Sequence, residues 1–270
     1  MGRDEEDPIQ RYYDAGLEGG RLLQGSGQVE LARTQDIVER VLPPAPARVL
    51  DVGGGTGVYA RWMAARGYDV HLVDVVARHI EEARAHPGPA LARATVGDAR
   101  RLDDADGSVD AVTLLGPLYH LVERADRVQA LAEARRVVRP GGVVVAAAIS
   151  RYASLLDGLF RGLVDDPAFV AILERDLREG QHRNPTARLD YFTTAYFHRP
   201  EDLADEARDA GLTVDSVLGV EGPAWLIPDL ERRWADEPRR LQLLGLLRRL
   251  EADPAALAMS AHLVLVARRP

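Results

Sequence analysis

Three aspartates close three successive hydrophobic runs: Asp51 in "RVLDVG", Asp74 in "YDVHLVD" and Asp98 in "ATVGD". Between the first two lie Gly53, Gly54, Gly55 and Gly57, four glycines in five positions. A strand that runs into so bare a turn, and then into a helix, lets backbone amides approach a nucleotide-type ligand. A dinucleotide fingerprint G-x-G-x-x-G starting at Gly53 needs Gly or Ala at position 58, where Val58 stands. The pattern D-x-G-x-G-x-G fits from Asp51 through Gly53, Gly55 and Gly57. Asp74 is placed to take both hydroxyls of a ribose at the carboxyl edge of a sheet, although alone it equally suits a helix N-cap. Asp98 can accept from an exocyclic adenine amine, as Asp does from cytosine N4. Three acids at three successive strand ends identify an adenosine site.

The elements that must position these groups follow from the hydrophobic period. Short apolar runs at 47–53, 68–74, 90–98, 108–116 and 143–150 predict strands, and helical patterns at 58–67, after Asp74 and at 124–138 alternate with them. Near-continuous apolar strands between helices imply a parallel sheet covered on both faces. Residues 9–42 read as two helices with a break near "QGSGQ" (24–28), stopped by "LPPAP". After Ser150 the alternation stops. A mainly helical stretch precedes a helix at 199–211, a strand at 212–220, a helical insertion around "LQLLGLLRRL" and a last strand at 262–270.

Composition narrows the chemistry. The 270 residues contain no cysteine, which removes disulfides, thiolate nucleophiles and cysteine-ligated zinc. All 34 basic residues other than histidine are arginines, so neither a Schiff-base lysine nor a P-loop lysine is present. A formal net charge of -8 argues against a nucleic-acid partner. The acidic start "MGRDEEDP" is not a signal peptide, and no apolar run approaches the roughly 20 residues of a membrane span. These features lead us to expect a cytoplasmic protein without a membrane or nucleic-acid partner.

The constellation resembles the class I S-adenosylmethionine-dependent methyltransferases of the small-molecule type, with specific motifs over residues 47–150 and strand order beyond. The resemblance implies an α/β, Rossmann-like sheet of seven strands in the order 3-2-1-4-5-7-6, the last antiparallel. It implies N-terminal cofactor-covering helices over 1–46, a core of 47–150 and 199–270, and a helical cap, 151–198, inserted after strand 5. The cofactor implied is S-adenosylmethionine: Gly53, Gly54 and Gly55 by its methionine part, Asp74 at the ribose, Asp98 and Ala99 at the adenine, Leu115 near the sulfonium, with Asp51 and Val75 also in the cofactor-binding set. In the N-terminal cover, Tyr12, Tyr13, Glu18, Arg21, Glu30 and Arg33 lie near each other in sequence, and Tyr13 joins the implied cofactor set. Arg33 is the natural partner for the cofactor's carboxylate, or else pairs with Glu30 along its helix.

A sulfonium is already an activated methyl donor, so the protein must align the acceptor, exclude water and remove a proton where the acceptor carries one. The stretch expected to face the methyl is "LLGPLYHLVE", without the N-P-P-Y or D-P-P-Y of enzymes that methylate nucleic-acid amino groups. Tyr119 and His120 are its ionisable groups; His120 can serve as base or pack beneath the short helix. Glu221, in "GVEGPAWLI" with Trp225, is the third catalytic candidate, and Tyr191, Phe192, Tyr196 and Phe197 give the cap its aromatics. The seven histidines show no metal-ligand spacing, so no metal is expected. The acceptor expected is a small organic molecule with hydrophobic bulk, in specialised metabolism, its methylated atom oxygen, nitrogen or carbon. Two other functions stay open: a non-catalytic adenosylmethionine-binding partner protein, and an NAD(P)-dependent oxidoreductase, against which Val58 and the missing lysine count.

Overall fold

The computed structural model describes residues 21–186 and 188–270, so Tyr12, Tyr13 and Glu18 lie outside the described residues. Its strands are β1 (Arg48–Val52), β2 (Asp69–Asp74), β3 (Arg93–Val96), β4 (Val109–Leu114), β5 (Val138–Ser150), β6 (Gln181–His182), β7 (Ala195–His198), β8 (Thr213–Gly219) and β9 (His262–Arg268). Its helices are α1 (Gly25–Val41), α2 (Val58–Ala64), α3 (Ala77–Ala85), α4 (Arg124–Val137), α5 (Ala153–Arg161), α6 (Pro167–Glu179), α7 (Pro200–Asp209), α8 (Leu230–Ala235), α9 (Glu237–Leu250) and α10 (Pro254–Leu257). The chain divides into two compact units.

One unit holds residues 35–148, 199–218 and 263–270. β1 buries every residue except Arg48, as a strand covered on both faces must. β2 and β3 follow on one side of it and β4 and β5 on the other, all parallel. β9 pairs with β5 and β8 with β9, which gives β3-β2-β1-β4-β5-β9-β8. β9 runs against β5: Gly141 N–H reaches Arg269 O at 2.8 Å, while at the other end Ser150 N–H reaches Ala261 O at 2.8 Å. This is the Rossmann-like order 3-2-1-4-5-7-6 with an antiparallel last strand. α4 lays Arg127, Ala130, Leu131, Ala134 and Val137 along one buried stripe.

Of the described residues, the other unit holds 21–34, 149–198 and 219–262. Here the sequence reading was incomplete. β7 pairs in parallel with the last two residues of β5, and β6 runs antiparallel to β7, within a stretch expected to be helical. α6 starts where Asp166 accepts from Ala168 N–H, with Pro167 in its first turn. It ends at Gly180, whose φ is +74°; a Cβ there would stand 2.5 Å from Phe197 O, so only glycine fits. Phe169, Ile172, Leu173 and Tyr191 form one core cluster. Val29, Ala224, Leu230, Leu243 and Leu247 form another. α1 also departs from expectation: it runs straight through "GSGQ", and the expected break is confined to Gln24.

Candidate cofactor site

β1 delivers Asp51 and Val52 to the turn of Gly53 to Gly57, and α2 begins at Val58. A Cβ on Gly53 would meet Pro117 Cδ at 2.6 Å, and one on Gly116 would meet Gly53 O at 2.6 Å. The loops after β1 and β4 therefore touch backbone to backbone. A Cβ on Gly54 would meet Asp51 Oδ2 at 2.3 Å, whereas one on Gly55 would meet nothing within 4 Å. The bare turn is packed below and open at Gly55.

Asp74, 6% exposed at the end of β2, accepts from Gly55 N–H at 2.8 Å with Oδ2. Its Oδ1 accepts from Val76 N–H at 2.9 Å and lies 3.1 Å from His79 Nδ1. It thus works as an anchor for the turn as well as a strand-end acid; His79, on α3, is a member of this group that sequence reasoning missed. The next residue, Val75, is 68% exposed, an apolar surface beside the acid.

Asp51 is fully enclosed. Oδ1 accepts from Thr113 Oγ1 at 2.6 Å, and Oδ2 has no hydrogen-bond partner among the described residues. Burial pushes its pKa up to about 6; the Thr113 hydroxyl works against that rise and the charge of Asp74 adds to it. Asp98, after β3, is gripped by Arg100, whose NH2 reaches Oδ2 at 2.6 Å and whose NH1 also reaches Asp126 at 3.0 Å. The hydrogen bonds from Arg100 hold Asp98 below the usual carboxylate range. Ala99 is buried and Leu115 half-buried.

Tyr119 and His120 lie on a 3-10 turn, Leu118–His120, with ring centroids 4.7 Å apart and edge-on. A clamp absent from the sequence reading holds the end of this loop. Arg127 NH1 donates to Leu121 O at 2.9 Å and to Val122 O at 2.8 Å, while its Nε and NH2 fork onto Glu206 of α7 at 2.7–3.0 Å. The signal was an arginine in the apolar stripe of α4.

In the other unit the remaining candidates have these partners. Arg33 is 1% exposed and gives its charge to Glu251 and its Nε to Val220 O at 3.3 Å. Glu30 pairs with Arg21 instead, so the helix-face pair of Arg33 with Glu30 does not form. Both oxygens of Glu221 are engaged, Oε2 by Ser260 Oγ at 2.9 Å and His262 N–H at 3.0 Å, Oε1 by His262 Nδ1. Burial works against protonation of His262, yet the charges of Glu30 and Glu221 push its pKa up to about 9. Tyr191 is 2% exposed and packs in the core with its hydroxyl on Asp166, and Trp225 gives its N–H to Met259 O at 3.0 Å.

Comparison with known proteins agrees with this architecture. A family profile described as "Methyltransferase domain" matches residues 49–142. Ubiquinone biosynthesis O-methyltransferase of Thiobacillus denitrificans is 31% identical over 186 residues, 68% of this chain and 72% of that protein. An uncharacterized methyltransferase of Mycobacterium tuberculosis is 37% identical over 107 residues; the match spans 40% of this chain and only 42% of that relative's length. Among solved structures, an S-adenosylmethionine dependent methyltransferase from Mesorhizobium loti superposes with a TM-score of 0.59 at 19% identity, covering 89% of this chain and 100% of that one. A likeness of that degree shows the fold, and the Thiobacillus relative carries the family: this chain belongs to the class I S-adenosylmethionine-dependent methyltransferases.

Proposed function

We propose that the chain transfers the methyl group of S-adenosylmethionine to a small organic acceptor with hydrophobic bulk. The observation that carries this reading is the open, side-chain-free turn at Gly55, tied through its amide to Asp74. When bound, the cofactor supplies a methyl group on a sulfonium, activated for in-line displacement. Asp74 is assigned to the ribose hydroxyls, Asp98 and Ala99 to the adenine, and Gly53 to Gly55 with Asp51 to the methionine part. The enclosed negative charge of Asp51 favours a cationic ligand above it. His120, beside Tyr119, is assigned the acceptor's proton, which it takes as the new bond forms.

The name of the Thiobacillus relative favours oxygen as the methylated atom. The net charge of -8 favours a small molecule over a nucleic acid. No helix among the described residues is long and apolar enough to cross a membrane, and we place the activity in the cytoplasm, in specialised metabolism. Acceptor choice is assigned to the segment 151–198, where Leu159 and Phe160 are exposed.

The test is native mass spectrometry for co-purified adenosylmethionine or adenosylhomocysteine, then calorimetry with adenosylhomocysteine and NAD in parallel. Labelled methyl transfer to a panel of phenols, amines and alkenes follows. Heat from NAD and none from adenosylhomocysteine would overturn the reading. Tight cofactor binding without transfer to any acceptor class would leave the non-catalytic binder.

A further inference from the structure

Glu30 on α1, Glu221 just after β8 and His262 at the start of β9 come from distant parts of the sequence and meet within one unit. One ligating atom from each lies within 4.8 Å of the other two. We propose that Glu30, Glu221 and His262 form a binding site for one divalent transition-metal cation.

The side chains of Glu30 and Glu221 are 12% and 3% exposed and that of His262 is 23% exposed. Two enclosed carboxylates repel one another, and positive charge beside them relieves that repulsion. Glu221 is held in a single orientation. Its Oε2 is fixed by Ser260 Oγ and His262 N–H, which turns Oε1 toward His262 Nδ1. Ser260 Oγ is itself held by the amides of Glu221 and Gly222, at 3.1 Å and 3.2 Å. Glu30 Oε2 lies 3.7 Å from the same Nδ1. Such outer hydrogen bonds are how proteins aim their metal ligands.

The donor set is two carboxylates and one imidazole, without thiolate. It suits Zn²⁺, Co²⁺ or Mn²⁺ better than Mg²⁺, which takes oxygen ligands and keeps its waters. In the structure Arg21 forks onto Glu30 at 2.5 Å and 2.9 Å. A metal ion held by the three residues draws Glu30 Oε2 from Arg21 and leaves Oε1 to the guanidinium, with water completing the coordination. The bound ion ties α1 to the ends of β8 and β9, and the inference is independent of methyl transfer.

The experiment is a titration of the full chain, free of any affinity tag, with Co²⁺ followed by its visible absorption and with Mn²⁺ followed by electron paramagnetic resonance. The expected result is one ion per chain with a Kd below about 1 mM, and displacement of Co²⁺ by Zn²⁺ but not by Mg²⁺. Glu221→Gln, Glu30→Gln and His262→Asn should each weaken binding by at least about tenfold. Because Glu221→Gln touches a buried network, the wild-type chain supplies a second readout: Co²⁺ must shift the ring protons of one histidine in the NMR spectrum. Absence of stoichiometric binding, binding unchanged in the three variants, or a Co²⁺ complex with no shifted imidazole would each overturn the site.

Discussion

The amide of Gly55 donates to the carboxylate of Asp74 at 2.8 Å, so the turn after β1 and the acid after β2 hold one another in place. Asp74 therefore has two roles that one substitution removes together. Asp74→Ala should lower adenosylhomocysteine affinity by about 1.5–3 kcal/mol, the cost of losing hydrogen bonds to a charged group. It should also lower the melting temperature, because the Gly55 and Val76 amides lose their acceptor. Asp74→Asn keeps one acceptor oxygen and should fall between. Calorimetry and thermal unfolding separate the two losses; unchanged affinity in a folded Asp74→Ala variant counts against the ribose assignment.

Asp51 makes stability depend on pH in a direction opposite to most carboxylates. Its pKa rises from the ordinary 3.8 to about 6 on folding, so the folded chain binds the extra proton between those values. The stability this contributes is complete below pH 3.8 and is lost as pH rises through about 6, an interval worth about 3 kcal/mol to order of magnitude. Asp51→Asn should flatten that part of the stability profile. A cationic ligand above Asp51 lowers its pKa, so adenosylmethionine binding near pH 6 should release a proton, and the Asn variant should not. Calorimetry in buffers of different ionisation heat reads this directly.

The parallel sheet was legible because its strands bury both faces and read as unbroken apolar runs, β1 and β5 most clearly, whereas the order of the seven strands came from the family resemblance. The acids Asp51, Asp74 and Asp98 were legible because each closes such a run. β6 and β7, two and four residues long, were not: neither is long enough to show a period. Long-range pairs were equally hidden. Arg33 with Glu251, and Glu30 and Glu221 with His262, join residues whose proximity the fold alone creates. The contacts of Glu221 with Ser260 and His262, 39 and 41 residues away, likewise leave no trace in sequence.

Arg127 is the position where a single change should loosen the loop that carries Tyr119 and His120. Arg127→Met removes the guanidinium from two carbonyls and leaves Glu206 charged and buried, a loss of about 3–5 kcal/mol. Pairing it with Glu206→Met removes the stranded charge and should recover part of the stability. The carbonyls of Leu121 and Val122 stay unclamped in both variants. Hydrogen exchange over residues 117–123 should therefore accelerate in the double variant even where its melting temperature is close to that of the parent.

His120 is the residue where catalysis and packing compete, and its variants distinguish them. It stands beside Tyr119 on the turn after β4, half-buried, with its backbone amide on Pro117 O at 3.1 Å. If the acceptor is a hydroxyl or a protonated amine, a base must accept its proton as the carbon–heteroatom bond forms. A positioned general base contributes about 10²–10⁴-fold, so His120→Asn should lower turnover by that factor and leave adenosylhomocysteine affinity nearly unchanged. The Asn side chain matches the imidazole's Nδ1 in reach but cannot carry the proton, which makes it the sharper variant than Ala. An alkene acceptor would instead develop positive charge on carbon, and aromatic faces rather than a base would matter. Tyr119→Phe then separates the cases further: it keeps the ring against His120 and removes only the hydroxyl. A His120→Asn variant with full turnover and a lowered melting temperature would assign this histidine to packing, and the base would have to be sought elsewhere.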